Sequence, residues 1–322
     1  MRDRPEGVEE AALVSALADG WGVEARSATY LPVGAGSYHW AVADGGGRQR
    51  FVTVDDLGFE DGSREAAFGA LGRAYDTALA LRRDAGLGFV VAPIPARTGS
   101  TVWRLDSRYA VSVFPMVDGE AGQFGAHRPQ DLAEVVELLA ELHQATPAVA
   151  ARAPRADLAL PGRDRLQDAL RDLDGEWAGG PFSEPARRLL AARADYVERS
   201  LGDFDRLVEQ VRGTAADWVV THGEPHPGNL IRGAAGLRLV DWDTVQVAPP
   251  ERDLWMVAGD SGGVPAAYTR ATGRPVHPAG LALYRLWWDL ADIASFVDEL
   301  RRPHGTGEDI TASWTYLKGY LE

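Results

Sequence analysis

Cysteine is absent from this chain of 322 residues. Its absence excludes disulfides, thiol nucleophiles and cysteine-ligated metals. Lysine is almost absent as well: Lys318 is the single lysine, and every other basic side chain apart from histidine is arginine. No apolar run approaches the roughly 20 residues needed to span a bilayer. The acidic opening stretch MRDRPEGVEEAALVSALADG lacks the unbroken apolar core of a secretory signal. A cytoplasmic protein with no membrane partner is expected. Positive charge is also scarce, with a net charge of -14 and a pI near 5.0. That balance argues against nucleic acid, whose phosphates demand a basic patch. It serves solubility, and it also suits a cationic ligand drawn to an acidic cleft.

What is present is an ordinary globular composition, 45% apolar and 25% charged, without internal repeats. The length suffices for one large domain or two lobes. Segments SATYLPV, YHWAV and RFVTV, between Ser27 and Val54, alternate as half-buried strands do. A helix follows, with Ser63 as N-cap, apolar residues at Ala67, Phe68, Leu71, Tyr75, Ala78 and Leu79, and Gly86 at its end. Residues 88–117 hold three more short strand candidates broken by proline and glycine. Beyond Gly119 the pattern becomes helical: PQDLAEVVELLAELHQAT, a helix or two over 183–212, then 278–300 and 309–322. The expected fold class is therefore α+β, a small antiparallel sheet with one long helix followed by a larger, mainly α part. Its lobes are expected at 1–117 and 118–322, joined near Met116 to Gly119, with 152–165 as a surface loop.

The stretch THGEPHPGNLIRGAAGLRLVDWD, from Thr221 to Asp243, concentrates the chemistry. Gly223, Pro225, Pro227 and Gly228 forbid a regular helix, so His222 to Asn229 is a loop following the strand DWVVT. A hairpin then leads to LRLVDWD, which delivers Asp241 at a strand end. Carboxylates and an amide meeting there supply hard oxygen ligands, suited to magnesium. Zinc is disfavoured, because His222 and His226 share a face only on a helix that Pro225 and Gly223 prevent. A Ser-His-Asp hydrolase lacks its Gly-x-Ser-x-Gly elbow.

The order H-G-E-x-x-x-x-N followed by D-W-D resembles the catalytic loop and metal segment of the kinase superfamily. The wording HGEPHPGN is similar to the aminoglycoside phosphotransferase family. DWDTVQVAPPERDL and LYRLWWDLADIASFVDELRRPHGTGED resemble its spectinomycin phosphotransferase branch. The resemblance spans most of the chain and implies a two-lobed, protein-kinase-like fold. It implies Mg2+ as cofactor, ATP or GTP as phosphate donor, and a hydroxyl-bearing antibiotic as acceptor, in resistance or self-protection. Glu224 would be the catalytic base, and Asn229 and Asp241 would ligate magnesium. Asp243 would hold a second ion or support the first. The turn Gly34, Ala35, Gly36, Ser37 would cover the phosphates, and Met116, Val117 and Asp118 would meet the base. Asp253 would brace the catalytic loop, and His222 would hold it in shape.

Two positions depart from the family. Glu224 stands where an aspartate is usual, with a stem one methylene longer. Thr53 occupies the strand position of the phosphate-binding lysine; Arg64 at the start of the next helix is the nearest candidate substitute, and Glu65 is the nominal helix partner. The family's acceptor site lies in the helical part, lined by acids and aromatics. RLWWDLADIASFVDEL offers Trp287, Trp288, Asp289, Asp292, Asp298 and Glu299; Trp288, Asp289 and Asp292 are the favoured set for a cationic aminocyclitol. A kinase of choline, homoserine or a sugar stays open, as does a pseudokinase that binds without transfer. A monomer or a homodimer is equally compatible.

Overall fold

Alternating residues in the first third of the chain build a sheet whose two faces differ in character. In the computed structural model, which describes residues 1–58, 63–234, 236–259 and 263–322, helix α1 (Glu10–Trp21) comes first. Strands β1 (Ala25–Leu31), β2 (Ser37–Asp44) and β3 (Gln49–Asp56) follow, then helix α2 (Arg64–Arg83). The Ser63 hydroxyl caps α2, accepting from Ala66 N–H at 3.1 Å. Next are β4 (Trp103–Arg104), β5 (Tyr109–Pro115), β6 (Glu120–Ala121), α3 (Leu132–Gln144) and α4 (Thr146–Val149). Helices α5 (Arg163–Arg171), α6 (Ser183–Ala192) and α7 (Ala194–Arg212) precede β7 (Val219–Thr221), β8 (Leu230–Gly233), β9 (Gly236–Leu239) and β10 (Gln246–Ala248). Helices α8 (Glu251–Ala258), α9 (Gly263–Thr272), α10 (Pro278–Arg301) and α11 (Glu308–Leu321) complete the chain.

The elements form two compact units, residues 3–156 with 215–277, and residues 157–214 with 278–322. In the first, β1-β2-β3-β5-β4 make an antiparallel sheet. Tyr38, Trp40, Val42, Val52, Val54, Val111 and Val113 turn one face toward Leu13 and Leu17 of α1. At about 1.5–3 kcal/mol per large apolar side chain, this layer is the main stabilisation of the sheet. The opposite face is polar, since strand alternation sends Ser37, His39, Thr53, Asp55 and Ser112 there. Helix α2 sets Tyr75 edge-on to Phe114 at 5.3 Å. Two smaller sheets, β10-β7 and β6-β8-β9, carry the motif stretch. Of the three strands expected over 88–117, β4 and β5 form. Val90 makes only a single bridge to Leu239, because Pro93 and Pro95 remove ladder donors. Helix α1 has no counterpart in the sequence reading.

The second unit packs α10 against α7, α5 and α11. Leu283, Leu290, Ile293, Val297 and Leu300 recur at helical spacing and are buried. The expected pair of helices over 183–212 is α6 and α7. No helix among the described residues is long and apolar enough to cross a membrane.

Candidate active site

The site is built where β7 ends. Val219, Val220 and Thr221 are wholly buried, and the chain leaves the strand at His222. Gly223 has φ 107°, and a Cβ there would lie 2.3–2.5 Å from the Arg252 guanidinium, so only glycine fits. Asp253, on α8 and fully buried, accepts from His222 N–H at 2.9 Å and Gly223 N–H at 2.6 Å. His143 Nε2 on α3 lies 3.0 Å from the same carboxylate, and its Nδ1 lies 2.7 Å from the Tyr268 hydroxyl on α9. Burial opposes ionisation of Asp253, yet its bond from His143 and the surrounding positive groups hold it below the ordinary carboxylate range.

His222 is also buried. Its Nε2–H donates to Val240 O at 2.8 Å, and its Nδ1 accepts from Glu224 N–H at 3.2 Å. Burial lowers its pKa to about 4, so the ring is neutral and serves as a brace between the loop and the end of β9. Trp242 packs edge-on to it at 4.7 Å, and Thr244 donates to His222 O at 2.9 Å. Trp242 is thus packing, fully buried between two acids.

Asn229 is buried, and its Nδ2 donates to Glu224 O at 3.0 Å, which leaves Oδ1 as the acceptor. Val240 N–H donates to Asn229 O at 3.0 Å, so Asn229 and Asp241 emerge at the same end of the β8–β9 hairpin. Asp241 has φ 69°, a left-handed conformation that costs a residue with Cβ about 1 kcal/mol or more. Asp241 is exposed as a residue, although protein crowds its carboxylate. That partial desolvation, with the charges of Asp243, Glu224 and Asp55, pushes it well above the usual range. Burial raises Asp243 too. The Glu224 side chain is 33% exposed, its Oε2 3.9 Å from His226 Nε2.

Among the described residues, no three His, Cys, Asp or Glu side chains are gathered to hold an ion by themselves. An amide oxygen and one or two carboxylates, crowded by like charge, fit magnesium completed by phosphate and water oxygens. They do not fit a cage closed by protein alone.

The turn Gly34, Ala35, Gly36, Ser37 joins β1 to β2, with φ 70° at Gly34 and 85° at Gly36. The Ser37 hydroxyl donates to Asp55 Oδ1 at 2.6 Å. Thr53 is buried on the polar face of the sheet. Met116, Val117 and Asp118 follow β5. They turn at Gly119, φ 142°, where a Cβ would meet Arg232 O at 2.5 Å. Arg64 is exposed beside Gly58, and Glu65 pairs with Arg104.

In the second unit, Trp288, Asp289 and Asp292 are half-buried on α10. Asp292 Oδ2 accepts from the Tyr320 hydroxyl of α11 at 2.7 Å. Burial raises both acids, Asp292 to about 6. Asp298 is matched by Arg165 at 3.3 Å and Arg302 at 2.5 Å, and Trp287 donates to Ala159 O at 2.9 Å. These two are committed to structure, whereas among the described residues Asp289 and Asp292 have no basic partner at salt-bridge distance, Arg285 acting on Asp289 only from farther away.

A model of the phosphotransferase enzyme family matches residues 27–294. The chain belongs to that family. Protein StrN of Streptomyces griseus is 30% identical over 258 residues, 77% of this phosphotransferase and 76% of that protein. Among solved structures, spectinomycin phosphotransferase bound to ADP and spectinomycin is similar with a TM-score of 0.75. It is 15% identical, and the match covers 98% of this chain and 96% of that one. A microcompartment-associated aminopropanol kinase follows at TM-score 0.64 and 18% identity, covering 97% and 95%. Choline kinase LicA of Streptococcus pneumoniae gives 0.59 and 15%, covering 97% and 98%. The fold is kinase-like, as the motif order implies, with an antiparallel sheet in the N-terminal region and helices in the C-terminal part. The enzyme is a phosphotransferase that takes an alcohol group as acceptor.

His143, Tyr268, Arg252 and Asp55 also belong to this site, although no sequence motif marks them. His143 carries a visible signal, a polar residue on the apolar face of α3.

Proposed function

We propose that this phosphotransferase moves the γ-phosphoryl group of magnesium-bound ATP or GTP to a hydroxyl of a cationic, aminocyclitol-like antibiotic in the cytoplasm. Residues 1–117 would bind the nucleotide, and 118–322 would carry the catalytic loop, metal segment and acceptor site. Asn229 Oδ1 and Asp241 would hold the ion, supported by Asp243; it would neutralise phosphate charge. Backbone N–H groups of Gly34 to Ser37 would lie over the phosphates, and main-chain groups of Met116 to Asp118 would meet the base. The Glu224 carboxylate orients the acceptor hydroxyl and accepts its proton as the new O–P bond forms. The bond to the β-phosphate oxygen breaks and its electron pair leaves with the nucleoside diphosphate. Trp288, Asp289 and Asp292 would receive the ammonium groups of the acceptor.

The observation that carries this reading is the bond from Asn229 Nδ2 to Glu224 O, which fixes the candidate base and ligand in one loop braced by Asp253. The role proposed with it is resistance or self-protection. The test is a panel of aminocyclitols, aminoglycosides, choline and homoserine incubated with Mg-ATP or Mg-GTP and read by mass. Gain of one phosphate on an aminocyclitol supports the proposal. Gain on choline or homoserine alone would redirect it to another small cationic alcohol. Nucleotide binding without any gain would favour a binding protein.

A further inference from the structure

The family resemblance leaves the nucleotide's phosphates without a basic side chain, because Thr53 stands at the lysine position. Arginine does not fill the gap. Arg50 lies on the other face of β3 and binds Asp44 at 2.9 Å, and Arg64 is exposed beside Gly58. The adjacent strand offers a different group. In the β2–β3 register His39 is the direct partner of Thr53, and Ser37 the partner of Asp55. Cross-strand partners project to the same face with Cβ atoms about 5 Å apart. Thr53 Oγ1 lies 3.4 Å from His39 Nδ1. The Phe51 ring packs against the imidazole with centroids 4.9 Å apart and planes at 33°, which limits its rotation. The far nitrogen, Nε2, lies only 3.1 Å from where a Cβ on Gly34 would sit. The ring therefore extends from the lysine position to the underside of the glycine turn.

We propose that His39 replaces the missing lysine as the side-chain donor to the nucleotide's polyphosphate. The inference rests on the reading of the chain as a nucleotide-dependent phosphotransferase and adds a residue to it. With the Thr53 hydroxyl donating to Nδ1, the ring carries its proton on Nε2, directed at the turn. Burial lowers the imidazole to about 4, so without ligand it is a neutral donor. Across β3, Ser112 is the register partner of Thr53 and its buried hydroxyl has no hydrogen-bond partner among the described residues. The row His39, Thr53, Ser112 thus keeps polar character along the face where the phosphates would lie.

The experiment is calorimetric titration of the full chain with Mg-ADP, Mg-GDP and the matching nucleosides, for wild type, His39→Ala, His39→Gln and His39→Ala/Thr53→Lys. Unchanged melting temperature identifies correctly folded variants. The expected result is about tenfold weaker Mg-diphosphate binding in His39→Ala, as for loss of a charge-assisted bond, with nucleoside binding unchanged. His39→Gln, which keeps an N–H donor, recovers part of the loss, and Thr53→Lys restores it. As a direct readout, the wild-type His39 Nε2 resonance shifts with Mg-diphosphate and not with nucleoside. Diphosphate binding that is unaffected by His39→Ala, or a fall in nucleoside binding of the same size, overturns the assignment and leaves the enzyme reading standing. Failure of the wild type to bind any magnesium nucleotide instead overturns the enzyme reading itself.

Discussion

His143 Nε2 and Asp253 Oδ2 lie 3.0 Å apart, and both side chains are completely buried. The Asp253 carboxylate therefore serves three donors: the His143 ring and the backbone N–H groups of His222 and Gly223. Asp253→Asn turns one acceptor oxygen into a donor that opposes them. A loss of about 3 kcal/mol in unfolding free energy is expected, together with a large fall in kcat. Asp253 is held below its ordinary pKa, so its stabilisation is present above that value and disappears as pH falls through the lowered one. Urea unfolding of wild type and variant at pH 7 and below pH 4 checks both points. The gap between the two proteins should narrow in acid.

The loop ahead of this brace carries the second expectation. Glu224→Ala should lower kcat by about 10²–10⁴, the range for removal of a positioned base. Its affinity for magnesium nucleotide should be unchanged or higher, since one negative charge leaves the neighbourhood of Asp241. Glu224→Asp, which restores the family residue, would keep partial activity. Turnover and nucleotide affinity measured side by side decide this: equal losses in both would show that Glu224 shapes the loop instead of handling the proton.

The motif residues are legible in the sequence because glycine and proline confine His222 to Asn229 to a loop, and alternation places Asp241 at a strand end. The brace Asp253 follows from the resemblance of PPERDL, but His143 and Tyr268 behind it are not legible, because their contacts depend on tertiary placement. His143 and Asp253 are 110 residues apart and meet only when α3 and α8 pack. The absence of lysine at Thr53 can be read directly, whereas the nearness of His39 follows from the β2–β3 register, which no local pattern fixes. Helix α1 is equally silent, with only Leu13, Ala16, Leu17 and Gly20 buried along its length.

Crowding at Asp241 leads to a third expectation, on metal dependence. Asp241→Asn removes a charge that neighbouring carboxylates oppose, so the ligand-free variant should melt a few degrees higher than wild type. The stabilisation that Mg-ADP gives the wild type should vanish in the variant, and should vanish in the wild type once EDTA is added. Differential scanning fluorimetry of both proteins with and without Mg-ADP, and of the wild type with EDTA added, separates the effects. A variant that is still stabilised by Mg-ADP would exclude Asp241 as a ligand.

Asp292 allows stability to be tested apart from the proposed acceptor binding. Its folded pKa is raised to about 6, by burial first and then by the nearby charge of Asp289, against the bond from Tyr320. A raised carboxyl favours the folded state when protonated, so its contribution is fully present below about pH 4 and lost as pH rises through 6. At neutral pH the ionised group is a cost, and Asp292→Asn, whose amide oxygen still accepts from Tyr320, should stabilise the protein. The gain is about 1–2 kcal/mol after allowance for solvent contact, and it should shrink to nothing below pH 4. If the two acids receive the acceptor's ammonium group, the same substitution should weaken acceptor binding at least tenfold. Melting curves across pH and calorimetry with whichever acceptor is phosphorylated test the two halves separately. Stability gained with acceptor affinity unchanged would remove Asp292 from the acceptor site and leave it as a strained carboxyl between two helices.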